Sequence, residues 1–147
     1  MFGEVDFSTW IAGWTALGFV VVYGIVIVAS VIARDRAREA IGFRILVTGS
    51  RGKSGVVRLV HAVVNPDTPT YAKITGTAAR EVFPDGTEKE TTRLCSTSSS
   101  EMPRAIREAA RVGAQVGVFE CMAISPSLIR MVQRSHVHAQ MVIIPAI

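Results

Sequence analysis

Phe43-Arg44-Ile45-Leu46-Val47-Thr48-Gly49-Ser50-Arg51-Gly52-Lys53-Ser54 is the stretch from which the fold is read. Phe43 to Val47 form a short apolar run that halts at Thr48 and Gly49, the pattern of a buried first strand. From Lys53 to Val64 the chain is helix-compatible, and Asn65-Pro66-Asp67 with Pro69 punctuates its end. A strand, a glycine turn and a helix in succession open an α/β unit.

The pattern continues downstream. Thr70 to Thr75 reads as a second strand, followed by a long loop over 76–100 in which Pro84-Asp85-Gly86 signals a turn. Ser98 and Glu101 have capping-box spacing, and Met102, Ile106, Ala109 and Ala110 then recur at helical intervals until Gly113. Val116 to Phe119 reads as a third strand. Ser125-Pro126 reads as an N-cap with a first-turn proline, Leu128, Ile129, Met131 and Val132 line a helical face, and Met141 to Ile144 starts a fourth strand. Alternating strands and helices imply a mainly parallel, doubly wound sheet.

Upstream the chain changes character. Residues 7–33 contain no Asp, Glu, Lys or Arg, which exceeds the roughly 20 apolar residues needed to cross a bilayer. Trp10 and Trp14 lie near the start of this run and Arg34, Arg36 and Arg38 just beyond its end, so the arginine side is expected to be cytoplasmic and the N-terminus outside. A cleaved signal peptide fits less well, because the basic leader is missing and the apolar run is too long. The expected organisation is a membrane anchor over 1–33, a charged juxtamembrane hinge over 34–43 and a nucleotide-binding segment over 44–147.

All 16 Lys and Arg follow position 33, whereas Glu4 and Asp6 are the only charges before it. A basic balance fits nucleic acid, anionic lipid or phosphate ligands. Nucleic acid is disfavoured because the Arg104, Arg107 and Arg111 stripe is not interleaved with exposed aromatics. Cys95 and Cys121 form no Cys-x-x-Cys pair, which argues against a disulfide framework or structural zinc. His136 and His138 read as surface residues, His61 as a partly exposed helix residue and Cys121 as a buried structural one.

The chemistry is concentrated in the first turn. Gly49-Ser50-Arg51-Gly52-Lys53-Ser54 ends in the Gly-Lys-Ser of a phosphate-binding loop and is shorter than the Gly-x-x-x-x-Gly-Lys-Ser form, since Val47 stands five before Gly52. Glycines let backbone N–H groups turn toward phosphate oxygens, the helix N-terminus adds partial positive charge, Lys53 can reach the outer phosphates and Ser54 can ligate Mg²⁺. ATP-binding candidates are therefore Gly49, Ser50, Arg51, Gly52, Lys53, Ser54 and Gly55. Glu120 ends the third strand, on the side where such sheets bind ligands. It reads either as a magnesium ligand or as a solvated strand-end carboxylate.

Gly49 to Ser54, Ile74-Thr75-Gly76-Thr77 with Arg80, Pro84-Asp85-Gly86, and Glu120-Cys121-Met122-Ala123 with Pro126 together resemble the capsule-type poly-gamma-glutamate synthase, a membrane-anchored relative of the Mur ligases. The resemblance spans about residues 1 to 144. It implies an ATP-dependent amide ligase in which ATP phosphorylates an acceptor carboxylate and a glutamate amine attacks the acyl phosphate. Lys53 would be the catalytic residue, Ser54, Glu120 and Thr77 would hold Mg²⁺, and Thr75 would lie close by. The implied partners are ATP, glutamate and the poly-gamma-glutamate chain, the membrane, and other membrane subunits of the synthase. Ser50 departs from the family's usual Thr, and Ala78-Ala79 stands where relatives tend to have a proline before the arginine. Val142 to Ile147 ends where relatives continue into a longer catalytic region, so the expected fold is a transmembrane helix followed by a partial P-loop α/β sheet. The alternatives are a non-catalytic nucleotide-binding membrane module and a membrane-tethered P-loop phosphotransferase.

Overall fold

A computed structural model describes residues 7–76, 78–91, 101–122 and 125–145. The chain divides into two compact units, Met1–Asp35 and Arg36–Ile147. The first is helical. Helix α1, Phe7–Glu39, is long and apolar enough to cross a membrane, and its 33 residues rise about 50 Å. Trp10, Trp14, Phe19 and Tyr23 project outward from it. The helix continues through Arg34, Arg36 and Arg38, so the stretch read as a hinge is helical as far as Glu39.

The second unit is built on a six-stranded sheet. Its elements are β1 (Phe43–Val47), α2 (Lys53–Val64), β2 (Thr70–Ile74), β3 (Arg80–Val82), β4 (Glu88–Glu90), α3 (Glu101–Arg111), β5 (Val116–Glu120), α4 (Pro126–Val132) and β6 (Met141–Ile143). The order across the sheet is β4-β3-β2-β5-β1-β6. β2, β5, β1 and β6 are parallel, β3 pairs antiparallel with β2, and β4 pairs antiparallel with β3. The sheet is therefore mostly parallel, as the alternation of motifs indicated.

Strand side chains alternate between two cores. Ile45, Val47, Ala72, Ile74, Val116 and Val118 meet Val57 of α2 on one face. Leu46, Tyr71 and Phe119 meet Met102, Ala105, Ile106 and Ala109 of α3 on the other. Coverage of both faces explains why these strands bury apolar residues at successive positions rather than at alternate ones. From β1 to β2 the chain steps one way along the sheet, whereas β2 to β5 and β5 to β6 step back. Crossovers of one hand must then use opposite faces, which accounts for α2 on one side and α3 on the other. Ile129 and Val132 of α4 pack against the α3 core.

Strands β3 and β4 and a π-helical turn were not evident from sequence patterning. The turn at Pro84-Asp85-Gly86 joins β3 to β4, with Gly86 at φ 81°, the Gly86 N–H donating to the Phe83 carbonyl at 3.0 Å. The two strands inside the expected loop escaped notice because Glu88-Lys89-Glu90 has no apolar alternation. Helix α4 passes into a π-helical turn, Gln133–Val137, before β6. Ser125 stands at the N-cap, but its hydroxyl pairs with Ser127 at 2.7 Å rather than with the helix backbone. His61 is buried, correcting its reading as partly exposed, because its Nε2 donates to the Thr70 carbonyl at 3.0 Å. Cys121 is buried as expected, whereas Ser98 and Cys95 lie outside the described residues.

Polar side chains secure the ends of these elements. Arg44 donates to the carbonyls of Arg38 (2.7 Å), Ile41 (2.5 Å) and Val137 (3.0 Å), tying the last turn of α1 to the end of the π turn. Burial, and then repulsion from Arg38, lowers the Arg44 pKa. Buried Lys73 donates to Glu81 at 3.1 Å and to Thr91 Oγ1 at 2.8 Å, which satisfies a charge that would otherwise be costly inside the protein. Arg58 of α2 and Arg80 of β3 both pair with Glu88 of β4.

A Cβ on Gly117 would stand 2.6 Å from the ring of fully buried Phe119, so Gly117→Ala should destabilise by about 1–3 kcal/mol. Urea unfolding of the detergent-solubilised chain, followed by circular dichroism, checks this; an unchanged midpoint would contradict the packing. The hydrogen bond from Arg58, with a further one from Arg80, holds the Glu88 carboxyl below the usual carboxylate range. Because its folded pKa is depressed, the stabilisation is complete above the ordinary carboxylate pKa and disappears as pH falls through the folded value. Side-chain exposures of 46% for Arg58 and 31% for Glu88 keep the effect small. Acid titration of stability should show a shallower decline for Glu88→Gln than for the parent.

Candidate functional site

Parallel strands finish at one edge of the sheet, and this edge gathers the residues singled out in the sequence. Val47 is in register with Glu120, and Lys73 with Phe119, so the ends of β1, β5 and β2 lie side by side. The segment after β1 enters α2 on one face, while the segment after β5 enters α4 on the other. Between such strands the outgoing chains diverge and leave a crevice at their C-terminal ends, the usual ligand position in open α/β sheets.

The turn from β1 into α2 depends on two glycines. Gly49 has φ 144° and Gly52 φ 74°, conformations that side-chain-bearing residues rarely adopt. Gly52 is the N-cap of α2 and supplies no side-chain hydrogen bond, and the first turn of the helix carries no acidic residue. The positive end of the helix dipole therefore has neither a capping side chain nor an acidic residue of its own first turn against it. Lys53 folds back over the loop, its ammonium donating to the Gly49 carbonyl at 2.7 Å and to the Ser50 carbonyl at 3.4 Å. Ser50, Arg51 and Gly55 are exposed around it.

Glu120 is 1% exposed, so the solvated strand-end reading is overturned. A buried carboxylate requires donors, and two neighbouring segments provide them. Ser54 Oγ lies 3.1 Å from each carboxylate oxygen. The Thr75 backbone N–H donates to Oε2 at 2.7 Å, and the Thr75 hydroxyl to the Glu120 carbonyl at 3.2 Å. Ser54 and Glu120 thus meet across 66 positions of sequence. Arg80 is directed to Glu88 instead. Thr77, the third expected metal ligand, lies outside the described residues. Thr75 was expected to lie nearby with a part in metal or phosphate contact, and no local sequence signal identified it as the residue that holds Glu120.

The donor set is one carboxylate and one hydroxyl, both hard oxygen ligands. Among the described residues no group of three or more His, Cys, Asp or Glu is arranged to hold a metal ion. A site with so few protein ligands suits Mg²⁺, which keeps several waters and takes one or two protein carboxylates together with phosphate oxygens, better than it suits Ca²⁺ or Zn²⁺.

Comparison with known proteins bears out the family resemblance. The chain is 31% identical over 129 residues to the capsule biosynthesis protein CapB of Bacillus anthracis, covering 86% of this chain and 27% of that protein. It is 28% identical over 113 residues to the PGA synthase CapB of Bacillus subtilis (strain 168), covering 73% of this chain and 29% of that protein. The chain is thus CapB-like over most of its length, while spanning under a third of the length of these relatives. No family model matches it, and no solved structure does.

The loop geometry makes a graded prediction. Gly52→Ala meets open space and carries the left-handed backbone cost alone, about 1–2 kcal/mol. Gly49→Ala adds a Cβ 3.0 Å from the Pro145 carbonyl oxygen and should destabilise more. Thermal unfolding of both variants measures the order, and equal or reversed losses would contradict this turn.

Proposed function

We propose that this CapB-like chain is the nucleotide-binding part of a membrane-anchored poly-gamma-glutamate synthase, an ATP-dependent amide ligase. The observation that carries the proposal is the convergence of an uncapped helix N-terminus, Lys53 and the Ser54–Glu120 pair at one sheet edge. The names of the two relatives, a capsule biosynthesis protein and a PGA synthase, support polyglutamate as the product.

In this reading residues 49–55 form a P-loop within a doubly wound sheet. Backbone N–H groups of the loop and of the first turn of α2 would hold the phosphates of ATP. Lys53 would exchange the Gly49 carbonyl for a phosphate oxygen and stabilise charge developing on the transferring phosphoryl group. Mg²⁺, when bound, supplies further neutralisation of that charge, and Ser54 and Glu120 are the residues that would hold it. A carboxylate of the glutamate acceptor attacks the terminal phosphorus and ADP leaves. The amine of an incoming glutamate then attacks the acyl carbon, forming the amide and releasing phosphate.

Helix α1 would be the anchor. Arg34, Arg36 and Arg38 at its C-terminal end favour a cytoplasmic soluble unit, where ATP and glutamate are available, and an external N-terminus. Other membrane subunits of a synthase complex are partners implied by the family. The match covers 27% and 29% of the relatives, so no residue of this chain is assigned to acceptor binding or to closure against water. By themselves these 147 residues should bind nucleotide weakly and ligate little.

Calorimetric titration of the detergent-solubilised chain with MgATP tests the reading. Lys53→Ala should weaken binding about tenfold, as expected for loss of one charge-assisted contact. Unchanged affinity would refute the assignment of this loop to phosphate.

A further inference from the structure

Resting on the nucleotide-binding reading and deepening it, we propose that Thr75 and Gly76, at the end of β2, are positioning residues that hold the Ser54–Glu120 pair in the arrangement needed to take Mg²⁺ with ATP. Neither residue is assigned contact with metal or nucleotide. They act through the side chains beside them.

The first part of this device fixes the carboxylate. Glu120 ends β5, and its side chain would be free to rotate if only Ser54 held it. The Thr75 N–H, at 2.7 Å from Oε2, pins one oxygen from the backbone of a neighbouring strand. The Thr75 hydroxyl reaches the Glu120 carbonyl at 3.2 Å and fixes the main chain from which that side chain departs. Two contacts from one residue thus constrain both ends of Glu120. A ligand oriented in this way loses less conformational entropy when the ion arrives.

The second part concerns space. A Cβ built on Gly76 would lie 3.1 Å from Ser54 Oγ, closer than ordinary van der Waals contact. Ser54 can relieve that contact by rotating about χ1, but rotation carries its hydroxyl away from both Glu120 oxygens, each now 3.1 Å distant. The absence of a side chain at position 76 is therefore what permits the serine to stand beside the carboxylate. Positions 75 and 76 set the two candidate ligands from opposite sides, one by donating hydrogen bonds and the other by leaving room.

The effect should fall on the metal-dependent component of binding. Lys53 and the loop backbone contact phosphate without the ion, whereas Ser54 and Glu120 act through it. ATP affinity should be measured on the full chain in detergent, with excess Mg²⁺ and again with EDTA, for the parent, Gly76→Ala, Thr75→Val, Thr75→Ser and Lys53→Ala. The proposal expects Gly76→Ala to lose about tenfold in the ratio of affinities with and without Mg²⁺, the usual scale for disturbing an outer-shell partner, with its EDTA value unchanged. Thr75→Val should reduce the ratio and Thr75→Ser should restore it. Lys53→Ala should lower affinity under both conditions.

A parental ratio retained in both Gly76→Ala and Thr75→Val overturns this inference while leaving the nucleotide reading intact. Failure of the parent to bind ATP under either condition overturns both. If circular dichroism shows that Gly76→Ala does not fold, the comparison of Thr75→Val with Thr75→Ser decides: equal ratios in the two variants sink the proposal.

Discussion

A carboxylate removed from water at the end of a strand is the constraint on which the candidate site depends. Glu120 is tolerable at 1% exposure because Ser54 and Thr75 present donors to it, and without them its desolvation would be uncompensated. Those donors belong to the start of α2 and the end of β2. They reach one carboxylate because β5 lies between β1 and β2, with all three strands parallel. Sheet order and site chemistry are thus two descriptions of the same arrangement.

The loop beside Glu120 has its own requirement. Gly49 and Gly52 adopt positive φ, allowing the chain to turn sharply from β1 into α2 and leaving the helix end without a side-chain cap. Lys53 lies across the loop on its own carbonyls. A cation occupied by neutral carbonyl oxygens has every electrostatic reason to exchange them for an anionic phosphate. At the far side of the sheet, β4 carries Glu88, Lys89 and Glu90, a charged edge of the kind that discourages pairing with another chain.

Much of the fold was legible because local rules acted alone. The apolar run of β1, the glycine turn and the start of α2 are each specified by neighbouring residues. The same holds for the end of α3, where Gly113 takes φ 69°. The hairpin of β3 and β4 was not legible, since β3 is held by pairing with β2 and β4 by pairing with β3 rather than by an apolar period. His61 and Lys73 were concealed for a related reason. A polar residue reads as exposed unless its partner is known, and their partners are Thr70, Glu81 and Thr91.

The sequence by itself determined the long helix with its uncharged run over 7–33, the strand-to-helix glycine turn with Lys53 and Ser54, and the identity of Glu120 as a residue of interest. These depend on composition and on contacts between near neighbours. Only the tertiary structure decided that Glu120 is buried, that Ser54 stands beside it, and that Thr75 and Gly76 lie against the two. Those outcomes follow from strand order and from gaps of a few tenths of an ångström. Residues 45 and 66 positions apart are brought together by the sheet, and local patterning carries no information about that distance.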